Sequence, residues 1–156
     1  MNTSVIGLDK DHTEKLISEL NSLLANFQVY YQNVRGLHWN IKGKNFFELH
    51  TKFEEFYTDA QEKVDLIAER ILTLQGTPLH TFDDYVKLST VKIGKNVSND
   101  EKAVALVVNS VSELLKIERI ILELSDQAGD EGTNAMMSDF ISEQEKMLWM
   151  MNAWLS

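Results

Sequence analysis

Five side chains in the first half of this chain have the types and spacing of a metal site: His38, His50, Glu54, Asp65 and Glu69. Imidazole and carboxylate donors together suit iron, zinc or manganese. His50 with Glu54, and Asp65 with Glu69, are i,i+4 pairs, so each pair can close on one ligand from a helix face. At about 100° per residue, Glu54 lies about 40° round the helix from His50, Asp65 about 60° and Glu69 about 100°. One stripe carries all four.

The two pairs cannot serve one ion within one chain. The rise from His50 to Asp65 is about 22 Å, whereas coordination needs donors within about 2–2.6 Å of the ion. A two-fold axis removes the conflict. If two copies of this helix pack antiparallel, His50 and Glu54 of one chain meet Asp65 and Glu69 of the other, which makes two identical sites per dimer. His38, in the stretch GLHWNIKGKNFFELHTKFEE (Gly36 to Glu55), can swing into the same site. The spacing is equally compatible with a solvated charged face, with Lys63 and Arg70 as its neighbours.

The elements that must hold these residues are helices. Leu16, Leu20, Leu23, Leu24, Phe27, Tyr30, Tyr31 and Val34 recur every three or four residues, which predicts a first helix from Lys10 to about Gly36. Gly36 and Gly43 bracket a connection. A second helix is expected from about Asn45 to Leu74, stopped by Gly76-Thr77-Pro78. Thr81 to Ser89 reads as a short amphipathic helix on Phe82, Tyr85, Val86 and Leu88. Ser98 and Glu101 read as a capping box that opens a third long helix, to about Gln127. Gly129 ends it, and a fourth long helix runs from Glu131 to Leu155. Methionines 136, 137, 147, 150 and 151 suit adaptable core packing, and His12 and His80 are expected to be surface or structural residues.

The fold class is therefore all-α: one domain, residues 1–156, forming a four-helix bundle with a short helix in the long crossover between helices two and three, as in ferritin-like folds. One proline and seven glycines in 156 residues agree with long helices. The absence of cysteine excludes disulfides, thiol nucleophiles and cysteine-held zinc. No basic leader and no run of eighteen apolar residues is present, so no membrane span is expected and a cytoplasmic location follows. A net charge of −9, from 15 basic and 24 acidic residues, argues against direct binding of nucleic acid, which needs clustered lysine and arginine. No Glu-x-x-His occurs in the chain, so a di-iron site inside one bundle is not expected.

His38-Trp39, His50, Glu54, Asp65 and Glu69, with GDEGT at Gly129 to Thr133 and EQEKMLWMMNAWL at Glu143 to Leu155, resemble the Dps proteins, the miniferritins named as DNA-binding proteins from starved cells. The likeness runs from the first helix to Leu155. It implies a ferroxidase that oxidises Fe(II), with hydrogen peroxide or dioxygen, at sites of two irons between subunits of a hollow homododecamer that stores ferric mineral. His38, His50 and Glu54 would come from one subunit, and Asp65 and Glu69 from its mate. Trp39 would quench stray oxidising equivalents.

Glu54 stands where the family often has Asp, which implies an altered affinity for the second iron. Asp130 and Glu131, with Asp126 as a weaker candidate, match the family's iron-entry pores; Ala135 replaces an acid common there. DNA binding is not expected, because Lys10 and Lys15 face Asp9, Asp11 and Glu14 in place of a lysine-rich tail. The alternatives are a structural metal-binding cage without effective ferroxidase activity and a helical interaction module that only dimerises.

Overall fold

The computed structural model describes residues 3–156. It contains α1 (Lys10–Asn40), α2 (Phe46–Thr73), α3 (Phe82–Leu88), α4 (Asp100–Ala128) and α5 (Glu131–Leu155). The four long helices form the bundle, with α1 packed on α2 and α4, and α5 on α4. The short α3 rests against α1 within the crossover. Leu16, Leu20, Leu23, Phe27, Phe53, Ile67, Ile71, Leu114, Ile121 and Met137 meet in one buried core. Their recurrence every three to four residues puts them on the inward stripe of each helix. Among the described residues no helix is long and apolar enough to cross a membrane.

The first helix does not stop at Gly36. It continues to Asn40 because Leu37 and His38 are buried there, and that packing outweighs the roughly 1 kcal/mol by which glycine disfavours a helix interior. The continuation brings His38 inside the helix, at its last turn. The capping box expected at Ser98 and Glu101 is displaced by one residue. Asn99 is the N-cap of α4 and accepts from the Lys102 amide at 3.0 Å, while the Ser98 carbonyl accepts from the Lys42 amide at 3.0 Å. At the far end of α4, Gly129 adopts φ +66°, a left-handed cap that favours a residue without Cβ.

Three asparagines of α1 fasten the crossover. Asn21 accepts from the Leu79 amide at 2.8 Å and donates to the Thr77 carbonyl. Buried Asn26 accepts from the amides of Thr90 at 2.8 Å and Val91 at 3.1 Å. Asn33 donates to the Lys92 carbonyl at 2.7 Å and accepts from the Gly94 amide at 2.9 Å. Buried amide side chains are stable only when so satisfied.

The expectation that α3 turns an apolar face to the core holds only for Tyr85, which is half-buried. Phe82 is 83% exposed, and Val86 and Leu88 are exposed as well. The methionines divide similarly: Met137 and Met151 are buried and Met150 is exposed. His12 and His80 are at the surface, as expected.

Candidate metal centre

The helix end built by residues 37–42 determines how the two histidines meet. In a continuing helix the Lys42 amide would donate to the His38 carbonyl, but it donates to Ser98 instead. The freed His38 carbonyl accepts the Nδ1–H of His50 at 2.7 Å. The His50 carbonyl in turn accepts the Nδ1–H of His38 at 2.6 Å. A carbonyl oxygen only accepts, so each ring carries a hydrogen on Nδ1, and the neutral ring then keeps its lone pair on Nε2. Histidines that hold metals are oriented in this way, by a hydrogen bond from the other ring nitrogen.

Packing reinforces the arrangement. The two imidazoles stack with centroids 3.8 Å apart and planes 12° from parallel. His50 lies between His38 and the ring of Phe46, whose centroid is 5.0 Å away. His38 is 8% exposed, whereas His50 is half-buried.

Glu54, one turn beyond His50, is exposed and accepts from the Tyr57 hydroxyl at 3.4 Å. Tyr57 meets His38 edge-on at 5.4 Å. Desolvation, and then the neighbouring Glu54 carboxylate, hold the Tyr57 phenol above its usual range. Asp65 and Glu69 lie farther along α2, exposed and apart from the histidines. The structure thus brings His38, His50 and Glu54 to one end of α2 and leaves Asp65 and Glu69 on an open stretch of it. Among the described residues no three His, Asp or Glu side chains gather into a metal cluster within the chain. Trp39, beside the pair, is 57% exposed, with the Arg35 guanidinium 4.9 Å from its ring centroid.

The three residues expected at a pore separate on inspection. Asp126 and Glu131 are exposed. Asp130, expected to line a pore, is 2% exposed within the chain. It caps α5 by accepting from the Thr133 amide at 3.0 Å, and it pairs with Arg70 at 2.6 Å. Arg70 also donates to the Thr133 hydroxyl at 2.9 Å. The charge of Asp130 is therefore committed to joining α2 to α5.

Two further charged groups were not evident from the sequence. Lys63 is buried and bridges Asp59 and Glu143, each at 2.7 Å. Burial pulls its pKa down, but the hydrogen bonds and charges of those two partners outweigh it and hold the ammonium above its usual range. Glu118 of α4 is 0% exposed, and neither of its carboxylate oxygens has a hydrogen-bond partner of ordinary geometry. Burial pushes its pKa up to about 8, against lesser opposing pulls from Gln144, Lys63 and Arg119. A charged residue at a core position of the 3.6 period is the only signal that could have exposed Glu118.

A family model for the ferritin-like domain matches residues 17–156. An uncharacterised protein of Haemophilus influenzae is 48% identical over 153 residues, covering 98% of this chain and 96% of its own. A DNA protection during starvation protein of Porphyromonas gingivalis is 40% identical, covering 96% and 94%. The crystal structure of a Dps protein from Vibrio cholerae O1, described as a member of a broad superfamily of ferritin-like diiron-carboxylate proteins, superimposes with a TM-score of 0.98 at 53% identity, over 100% of this chain and 98% of that one.

Proposed function

The chain belongs to the Dps miniferritins of the ferritin-like family, and from that premise we propose that it protects its cell by oxidising Fe(II) with hydrogen peroxide at sites shared between two subunits, and stores the ferric product inside a dodecameric shell. The observation that carries the proposal is the reciprocal His38–His50 pair. Each imidazole is held by the other's backbone, which leaves both Nε2 atoms available, and Glu54 follows one helical turn after His50. This half-site lacks enough carboxylates within its own chain, while Asp65 and Glu69 offer two with no metal partner of their own.

Iron is the substrate. His38, His50 and Glu54 hold it from one subunit, and Asp65 and Glu69 hold it from the mate. Neutral imidazoles on one side and carboxylates on the other stabilise the rise in charge as Fe(II) becomes Fe(III), because anionic oxygen donors favour the harder ferric ion. Two irons supply together the two electrons that hydrogen peroxide needs to become two waters, so no hydroxyl radical has to leave the site. Exposed Asp126 and Glu131 concentrate cations where iron enters.

The test is anaerobic Fe(II) loading followed by hydrogen peroxide, with iron oxidised per peroxide as the readout and Asp65→Ala run in parallel. About two irons per peroxide, from the two-electron balance, with a loss of rate in the variant, supports the proposal. Oxidation no faster than in buffer, or a variant equal to wild type, refutes it.

A further inference from the structure

Beside the histidine pair lies an aromatic cluster that holds no iron in the account above. Tyr57 is at its centre. Its ring meets His38 at 5.4 Å on one side and Tyr31 at 6.1 Å on the other, both edge-on. Its hydroxyl donates to Glu54 Oε1 at 3.4 Å. The Arg35 guanidinium lies 5.9 Å from the Tyr57 centroid, 5.3 Å from that of Tyr31 and 4.9 Å from that of Trp39. A phenol thus touches one proposed ligand through its ring and another through its O–H.

We propose that Tyr57 is a one-electron donor to peroxide when a single iron occupies the site, so that the phenol replaces the missing second iron. The inference rests on the reading of His38, His50 and Glu54 as iron ligands. One Fe(II) can give only one electron, and cleavage of the O–O bond then leaves an oxidant one electron short of water. In the proposed step Fe(II) is oxidised to Fe(III) and supplies the first electron. The Tyr57 phenol supplies the second and becomes a neutral tyrosyl radical. Its proton passes along the hydrogen bond to Glu54 Oε1 and on to the oxygen being reduced. One further proton comes from solvent, and hydrogen peroxide leaves as two waters. Two electrons and two protons are thereby accounted for.

The same geometry explains why the radical stops at Tyr57. The Arg35 cation lies near all three rings, and a fixed positive charge opposes a second positive charge on any of them. Oxidation of an aromatic ring without loss of a proton creates such a charge. Loss of a proton avoids it. Among the described residues, Tyr57 is the only one of the three rings whose polar hydrogen has an acceptor within the protein. Its proton has a fixed path to a carboxylate, whereas Trp39, 57% exposed, has only solvent to release one to and is the poorer trap. The structure assigns to Tyr57 the quenching role that the family resemblance places on Trp39.

The experiment uses the assembled protein loaded anaerobically with one Fe(II) per site, mixed with one equivalent of hydrogen peroxide and freeze-quenched for electron paramagnetic resonance. Wild type gives a tyrosyl signal that narrows when the protein carries ring-deuterated tyrosine. Tyr57→Phe loses it, and Trp39→Phe keeps it. Wild type loaded with two irons per site is followed alongside for peroxide consumption. Normal consumption together with an undiminished radical in Tyr57→Phe, or an indole signal that vanishes in Trp39→Phe, overturns the assignment while leaving the ferroxidase reading intact. Failure of wild type to consume peroxide at all removes that reading, and the role of Tyr57 with it. The deuterium effect in wild type separates tyrosine from tryptophan without any variant, and Tyr31→Phe separates Tyr57 from its neighbour should Tyr57→Phe fold poorly: a signal kept in Tyr31→Phe supports Tyr57, and a signal lost there overturns the assignment.

Discussion

His38 and His50 donate their Nδ1 hydrogens to each other's backbone carbonyls, at 2.6 and 2.7 Å, across a ring stack of 3.8 Å. The acceptors are backbone carbonyls, so alanine at either position removes one proposed iron donor and half of the stack but leaves the other ring its hydrogen bond. We expect His50→Ala and His38→Ala each to weaken Fe(II) binding through the lost ligand, while the surviving imidazole stays oriented by its Nδ1–H bond and still contributes. Anaerobic calorimetry of Fe(II) binding to the two single variants and the double variant measures this. Binding in either single variant as weak as in the double variant would show that the surviving ring is no longer held.

Asp130 joins α2 to α5 through Arg70 and caps the helix it begins. Removing one member of a buried ion pair leaves the other charge unpaired, at about 3–5 kcal/mol for a fully buried pair and less here because Arg70 retains some solvent contact. Asp130→Ala should lower stability by about 2–3 kcal/mol in denaturant titrations. Asp126→Ala and Glu131→Ala, at exposed positions, should leave stability nearly unchanged and slow iron uptake. Uptake slowed by Asp130→Ala in a protein of unchanged stability would return Asp130 to the pore.

Glu118 makes stability depend on pH in an unusual direction. Its folded pKa, about 8, lies above the ordinary 4.5. Below pH 4.5 the group is neutral both folded and unfolded. Between 4.5 and 8 the unfolded chain releases the proton and the folded one keeps it, so stability falls as pH rises; above 8 the loss levels off. Facing Glu118 are Gln144, Lys63, Arg119 and Glu143, and none neutralises it fully. Glu118→Gln should remove this slope and raise stability at pH 7 by roughly 3 kcal/mol. Denaturant midpoints from pH 5 to 8.5 check it; parallel curves for wild type and variant would show Glu118 to be ionised in the fold.

Asn26 holds the amides of Thr90 and Val91 against α1. With alanine there, the Thr90 amide loses its acceptor and the buried Val91 amide keeps only the Ser89 hydroxyl, at 3.1 Å, a penalty of about 1–3 kcal/mol. Hydrogen exchange should show Thr90 and Val91 losing protection in Asn26→Ala while the cores of α2 and α4 keep theirs. Unchanged exchange at both amides would mean that the crossover is held by other contacts.

How much of this was legible in the sequence depends on the range of the interaction concerned. The four long helices were, because their core positions recur at the helical period over many turns. So was the stripe of His50, Glu54, Asp65 and Glu69, since spacing on one helix is a local property. The end of α1 was not: Gly36 signals a stop locally, but the burial of Leu37 and His38 decides otherwise. The capping box at Ser98 misled by one residue because Asn99, an equally good cap, stands next to it. Asn21, Asn26 and Asn33 carry no local signal of their distant partners. Asp130, Lys63 and Glu118 are polar residues whose burial is created by neighbours from other helices.

The central claim is that each iron site takes His38, His50 and Glu54 from one subunit and Asp65 and Glu69 from another. The most direct test is to assemble His50→Ala and Asp65→Ala chains together. Each variant alone has every site damaged. A mixed dimer has one doubly damaged site and one that regains all its ligands. Random mixing makes half the dimers mixed, so peroxide-driven Fe(II) oxidation should recover to about a quarter of the wild-type rate, as isologous pairing requires. Mixed assemblies no more active than either variant alone would contradict the shared site.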